Sequence, residues 1–525
     1  MTILLLSPSF LFLLSAFLQA CILSYYIKCR RSESLPLPPG PKPWPMVGCT
    51  FQMVRNRPTF RWIHKIMHKM NTEIACVRIA NIHVISVASP ELSREFLKKQ
   101  DTNFSSRPLC LSADLTSNGY LTTILVPIGN QYNKMKRILV SEVLTVARHK
   151  WLHDKRDEEA DHLVLYIYNQ CKYSVERGLV NVRTAARHYC GNLIRKLIFN
   201  KRFFGRGTEN GGPGAEEEVH VDALFTILAH LYAFGVSDYM PWLKMFDIGG
   251  HRKILKEALG KVKKYHDPEI DERIQMWKKG SKIEQEDLLD VLITLKDDNG
   301  SALLTTEEIK AQITELMIAA VDNPSNAAEW ALAEMLNQPE TLEKAVNELD
   351  IVVGKNRLVQ ESDIPRLNYI KACAKESFRL HPIAPFNVPH VAIKDTTVAG
   401  YFIPKGSHVL LSRPGLGRNP RIWKEPLKFK PERHLKDDGS EVVLVDHELR
   451  MLSFSTGRRG CPGVLLGSTM TTMLLARILQ GFTWNIPSGN GSKIDLAESE
   501  SDLLLAKPLV AMAKPRLAEN VYPAI

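Results

Sequence analysis

The stretch from Thr306 to Asn337 constrains this chain most. Thr305-Thr-Glu-Glu308 is a capping box that starts a helix, and Pro339 ends it. At ~1.5 Å per residue such a helix is ~48 Å long. Its middle, Leu316 to Val321, is apolar all round, so it must run through the core of a large body. Asp322, Asn323 and Pro324 follow inside that core segment. An acid, an amide and a helix-breaking proline side by side each cost stability, and local rules broken together usually mark a functional site. A tolerated kink with a capped acid is the plainer alternative.

The rest of the body reads as mostly helical. Strand signals are few: two short alternating runs in Ile74 to Ser89, broken at Ala80-Asn81, and a hairpin in Thr397 to Ser412, turning near Pro404-Lys-Gly406. Gly205 to Glu218 is a low-complexity insert expected as a surface loop between helices. From Met46 onward there is no second linker and no repeat. The expected class is mainly α with small β-sheets (α+β), in one body over 46–525.

Two segments precede that body. Ile3 to Ile27 carries no charge and only Gln19 as a strongly polar residue, long enough to span ~30 Å of hydrocarbon. Lys28, Arg30 and Arg31 follow at once, which keeps the remainder cytosolic by the positive-inside rule. A cleaved signal peptide is the alternative, weakened by the length of the run and the lack of a basic start. Leu35 to Pro45 is proline-rich, expected as a stiff extended connector holding the body off the bilayer. The organisation expected is therefore 1–27 transmembrane anchor, 28–45 basic flank and hinge, and 46–525 catalytic body. The net charge of +11 is dispersed and forms no nucleic-acid module. The nine cysteines are scattered singly, with no CxxC pair, so neither a zinc cluster nor a disulfide framework is suggested.

One cysteine stands out. Phe454-Ser-Thr-Gly-Arg-Arg-Gly-Cys-Pro-Gly463 is a glycine-bent loop presenting Cys461 ahead of a helix expected from Val464 to Thr483. A helix N-terminus favours a thiolate. Arg459 can reach a carboxylate, and Phe454 can pack on a flat macrocycle. A buried structural cysteine is the alternative for a lone Cys, but the full spacing F-x-x-G-x-R-x-C-x-G is much more specific.

This segment resembles the haem-binding signature of cytochromes P450 at Phe454, Gly457, Arg459, Cys461 and Gly463. Glu376-Ser-Phe-Arg379 and Pro431-Glu-Arg-His434 look like two further family segments. The resemblance implies a cytochrome P450 fold with an N-terminal transmembrane helix, and haem b (heme, iron protoporphyrin IX) ligated by Cys461. It also implies a buried charge network of Glu376, Arg379 and Arg433 behind the haem. Alone, such an i,i+3 pair is usually a surface salt bridge. His390 sits where the family places an Arg or His on a propionate. Tyr132 and Lys136 replace a common Trp-x-x-x-Arg pair, with Arg137 beside them. Two propionates need cations, and Arg459, His390 and Lys136 are the natural suppliers.

Ala319 to Trp330, with Asn323 and Pro324 in place of two threonines, departs from the common pattern of that family. With His434 and Phe386-Asn-Val-Pro-His390, it is similar to the plant subfamily that N-hydroxylates amino acids to aldoximes. That resemblance implies an endoplasmic-reticulum enzyme with its catalytic body in the cytosol. It would use O2 and electrons from NADPH through NADPH-cytochrome P450 reductase, and serve specialised pathways such as glucosinolate or cyanogenic glycoside synthesis. Asp322 and Asn323 would relay protons, although an amide relays them poorly by itself. The pocket would draw on Ser105 to Thr123, Leu316 to Val321, Ile383 to Val388 and Asp502 to Leu505. Arg107, Asn387, Phe386 and Leu504 are the substrate candidates, and an apolar side chain suits these segments best. The rival readings are carbon hydroxylation of another small apolar substrate, an O2-independent haem-thiolate isomerase or dehydratase, and a non-enzymatic haem sensor.

Overall fold

The long helix runs from Thr306 to Asn337, with Thr305 and Glu308 exchanging both capping-box hydrogen bonds. The structure, a computed structural model, describes residues 35–523 apart from 175–177, 206 and 489–490, together with Gln19. The expected anchor Ile3 to Ile27, Gln19 aside, and its basic flank Lys28, Arg30 and Arg31 lie outside the described residues. Helices Val182–Phe199, Asn368–Leu380 and Val464–Gly481 pack around the long one. Together they carry the main apolar core. Trp330 on the long helix stacks flat on His381, ring centroids 3.7 Å apart, and His381 Nε2 lies 2.7 Å from Glu334 Oε1. That contact ties the long helix to the end of Asn368–Leu380.

Among the described residues, the strands are β1 (Ile74–Ile79), β2 (Ile82–Val87), β3 (Leu179–Asn181), β4 (His390–Val391), β5 (Thr396–Val398), β6 (Tyr401–Ile403), β7 (His408–Leu411), β8 (Phe482–Asn485) and β9 (Val510–Pro515). The main sheet has the order β1-β2-β7-β4, with β2 and β7 parallel. β3-β9-β8 form a second sheet and β5-β6 a two-stranded ribbon. Mainly α with small sheets is what the chain adopts.

Several local expectations change. The break at Ala80-Asn81 is where β1 turns into β2, but these strands are buried on both faces rather than alternating. Ala75, Val77 and Val84 face one apolar cluster and Ile74, Cys76 and Ile85 the other, so neither face is left to water. The hairpin turns at Ala399-Gly400, not near Pro404-Lys-Gly406. Ala399 and Gly400 both have positive φ, +49° and +80°, as a two-residue turn between paired strands requires. β7 then leaves the ribbon to pair with β2 and β4. The acidic end of the Gly205–Glu218 insert is the first turn of helix Ala215–His230, where carboxylates favour the helix dipole. Helix Val464–Gly481 stops two residues earlier than expected, because Phe482 and Thr483 enter β8. It is also long and apolar enough to cross a membrane, yet most of it is buried inside the protein, so it is a core helix. The proline-rich connector forms neither helix nor strand over 35–43 and does not stand free. Pro36 and Pro39 accept hydrogen bonds from Phe402 and Cys76, 2.9 and 2.8 Å long.

Candidate active site

The loop before Val464–Gly481 is bent by residues of positive φ, Ser455 and Gly457. A side chain at Gly457 would collide with the Leu97 carbonyl, so glycine is required there. The Cys461 N–H donates to the Phe454 carbonyl at 2.9 Å, which closes the loop and turns the thiol onto a cavity. Burial pushes the Cys461 thiol up. The Gly463 N–H, Lys136 and Arg413 oppose that shift. The helix end alone therefore does not secure a thiolate, and coordination to a metal would. Among the described residues the one cluster of three metal-binding side chains is Glu158, Glu159 and His162, which does not include Cys461. A metal at Cys461 must bring its remaining ligands with it, as iron in a macrocycle does. The cavity of about 1370 Å³ exceeds the ~300–1,000 Å³ of ordinary small-molecule pockets. It has room for a large prosthetic group and a substrate.

One end of this cavity is cationic. Arg459 donates to the carbonyls of Ser105, Thr123 and Val126 at 2.6, 3.1 and 2.7 Å, and its guanidinium lies 3.8 Å over the Tyr132 ring. The Tyr132 hydroxyl donates to the Arg458 carbonyl, and the Lys136 ammonium lies 3.4 Å from that of Gly460. Arg107 donates to the carbonyls of Ile124, Val388 and Pro389. His390 Nδ1 meets the Phe104 carbonyl at 2.7 Å. Burial first, then Arg107, hold the His390 pKa well below its usual value. Among the described residues no carboxylate lies within ion-pair distance of Arg107, Arg459 or Lys136. Such a cluster fits the two propionates of haem b. Arg107, read from the sequence as a substrate candidate, lines the cavity and stands inside this cluster, with Arg459 first among the charges that act on it.

The other wall is the broken segment of the long helix. Asn323 donates to the Ala319 carbonyl at 3.1 Å and Ser325 to that of Val321 at 2.7 Å. Side chains thus supply hydrogen bonds around Pro324, and the helix continues through it. Asp322 and Asn323 line the cavity. Burial pushes the Asp322 carboxyl up to about 6, with Arg187 and Arg413 opposing and Asp502 adding to the shift. Asn387 donates to the Ser455 hydroxyl at 3.0 Å, and its Oδ1 accepts from Arg413 Nε at 2.9 Å. Phe386 stacks on His64 with centroids 5.0 Å apart, and Leu504 lines the same cavity. Two residues the sequence did not single out hold the roof. Glu315 accepts from the Thr123 and Ile124 amides at 2.9 Å, and Gln312 accepts from the Thr123 hydroxyl. Arg413 also escaped notice, since an isolated arginine after a strand carries no pattern.

Glu376 and Arg379 are fully buried rather than a surface pair. Arg379 binds both Glu376 oxygens at 2.7 Å, Arg433 Nε adds a bond of 3.0 Å, and His434 Nε2 one of 2.8 Å. Burial alone would raise the Glu376 carboxyl, yet Arg379 and His434 bring it down to about 2. His434 is a fourth member that the sequence offered only as a family difference.

Comparison with known proteins agrees with this geometry. A sequence profile described as Cytochrome P450 matches residues 38–512. A phenylalanine N-monooxygenase of Prunus mume is 58% identical over 495 residues, 93% of this chain and 92% of that protein. A tyrosine N-monooxygenase of Sorghum bicolor is 58% identical over 491 residues, 93% and 88% of the two chains. A valine N-monooxygenase of Manihot esculenta is 60% identical over 492 residues, 94% and 90%.

Proposed function

The chain belongs to the cytochrome P450 family, and from that premise we propose that it converts an L-amino acid to its aldoxime by two N-hydroxylations with dehydration and decarboxylation. The observation that carries this reading is the placement of Asp322, Asn323 and Pro324 on the cavity onto which Cys461 opens, in a chain so similar to three N-monooxygenases. Haem b, when bound, supplies the oxidising power, with O2 and with electrons from NADPH passed through a reductase.

The chain's own residues do the rest. Cys461 would ligate the iron of a bound haem, and Arg107, Arg459 and Lys136 would hold its propionates. The apolar side of the cavity, Ile318, Ala319, Ile383 and Leu504 among it, takes the amino acid's side chain and excludes water. An ammonium must lose a proton before its nitrogen can be oxidised. Asp322 holds a proton acceptor on that cavity, and Asn323 keeps an ordinary hydroxyl relay out of the helix. The relatives are named for phenylalanine, tyrosine and valine, none of which carries a charged side chain. The test is product analysis after the protein is given each L-amino acid with a reductase and NADPH. An aldoxime one carbon shorter than its parent is expected. Carbon-hydroxylated amino acids alone, with no N-oxygenated product, would sink the reading and leave the family intact.

We place the enzyme on the endoplasmic reticulum membrane as a single-pass protein with its catalytic body in the cytosol. The uncharged Ile3 to Ile27 with its basic flank supports this. So do Trp242, Met245 and Phe246, exposed together on one short helix. Release of the full chain from microsomes by a carbonate wash would contradict it.

A further inference from the structure

Arg413 is a part-buried arginine on the cavity wall whose structural duties leave both terminal nitrogens of its guanidinium unused. It opens the short helix Arg413–Gly417, just after β7. Its backbone is held firmly. The Arg413 N–H donates to the Pro385 carbonyl at 3.1 Å, and the preceding Ser412 caps the helix through Gly415 at 2.8 Å. Ser412 is itself held by His64 Nε2 at 2.6 Å and by the Val87 carbonyl at 2.7 Å. At the tip, only Nε is engaged, with Asn387 Oδ1 at 2.9 Å. That bond fixes the plane of the guanidinium. Among the described residues no acceptor engages either terminal nitrogen, and no carboxylate stands within ion-pair distance. The side chain lines the cavity.

A cation without an anion deep in a protein is costly, and a ligand anion relieves that cost. Two anions are candidates, a haem propionate and the carboxylate of a substrate. The propionate-binding end is already supplied, because Arg107, Arg459 and Lys136 gather there and, among the described residues, have no carboxylate within ion-pair distance. Arg413 acts instead on Cys461 and on Asp322, and both act on it, so it stands between the thiol and the broken segment of the long helix. Arg187, the other cation near Asp322, has an acid partner in Asp222 at 3.8 Å and lies 3.6 Å over the Phe225 ring. Arg413 keeps its charge at neutral pH, since burial lowers its pKa only to about 10.

We propose that Arg413 is a positioning residue that receives the α-carboxylate of the amino acid on its two terminal nitrogens. This rests on the function proposed above. It adds the recognition element that an otherwise apolar cavity needs in order to admit a zwitterion. The carboxylate meets Arg413, the ammonium lies toward Asp322, and the side chain is left to the apolar wall. Guanidinium geometry suits a two-point contact with a carboxylate better than an ammonium does.

The test is a spectral titration of the haem-loaded full chain, without NADPH, with paired probes that differ only in the carboxylate. L-Phenylalanine with phenethylamine, and L-valine with isobutylamine, are suitable pairs. Arg413→Gln is expected to weaken amino-acid binding by roughly 10- to 100-fold, the range of a hydrogen-bonded charge contact, with amine binding unchanged. Arg413→Lys should recover part of the loss. Haem content and the reduced CO spectrum should match the parent protein in both variants. Equal losses for acid and amine, no loss for either, no shift by any amino acid in the parent protein, or loss of haem in both variants would overturn the proposal. The two claims fail separately. If the parent protein makes an aldoxime but Arg413→Gln binds its amino acid unchanged, the anchor is wrong and the function stands. A carboxylate-selective loss without any N-oxygenated product leaves the anchor standing and removes the function.

Discussion

Two arginines in this chain, one buried and one on the cavity wall, are treated in opposite ways. Arg379 is fully enclosed, and its guanidinium meets both oxygens of Glu376 and the carbonyls of Gly417, Pro426 and Lys428. Arg413 has one side-chain partner and presents its free end to the cavity. A saturated buried charge is a structural element, whose removal strands its partners. An unsaturated one is a place kept for something that is not the protein. The same contrast separates the two perturbed carboxyls. Glu376 is held low by its partners, and Asp322 is held high by burial.

The largest expected effect is on the saturated side. Arg379→Ala should remove the two shortest bonds to buried Glu376, leaving it only Arg433 and His434 as side-chain partners, at about 3–5 kcal/mol, and give protein that does not retain haem. A stable, haem-loaded Arg379→Ala protein, seen in a denaturant titration and by its absorption spectrum, would break the comparison there. Cys461→Ser should separate fold from iron ligation. It lies outside the network, so the chain should fold, while the reduced CO absorption typical of thiolate ligation disappears. Persistence of that absorption would mean another ligand.

The pH responses should have opposite signs. Glu376 has a folded pKa near 2 against an ordinary 4.5. Its stabilising contribution is present above 4.5 and lost as pH falls toward 2, so the Tm difference between the parent protein and Glu376→Gln should shrink over that interval. Asp322 has a folded pKa near 6 against an ordinary 3.8. The folded state binds its proton more tightly, so this group costs stability progressively as pH rises from 3.8 to about 6. Asp322→Asn should therefore raise Tm above pH 6 and leave it unchanged below 3.8. Parallel pH profiles for the two variants would show that partners and burial do not divide the regions as described. The smallest effect expected is Asn323→Thr. It should change how much NADPH is consumed per product more than it changes substrate affinity, because Asn323 bonds its own helix at Ala319. A large change in affinity with unaltered coupling would place Asn323 among the substrate contacts instead.

Legibility in the sequence followed the range of the forces involved. Both ends of the long helix were readable, because a capping box and a following proline act within a few residues. The Cys461 loop was readable for the same reason, since its bends need glycine at fixed offsets. The hairpin was misplaced because two turn signals, Ala399-Gly400 and Pro404-Lys-Gly406, compete within one segment. Only the pairing of β7 with β2 decides between them. The alternation expected in β1 and β2 failed because burial on the second face comes from distant segments.

By itself the sequence determined the helix that crosses the core, the thiol at its loop, the pairing of Glu376 with Arg379, and the family. Each rests on neighbours in the chain or on spacing that only one chemistry uses. The tertiary structure alone decided which charges are satisfied. It placed His434 on Glu376, gathered Arg107 with Arg459 and His390, and left Arg413 with both terminal nitrogens unused. Whether a buried cation is a brace or a binding site depends on what stands within about 3 Å of each nitrogen, and those atoms come from residues far apart in the chain.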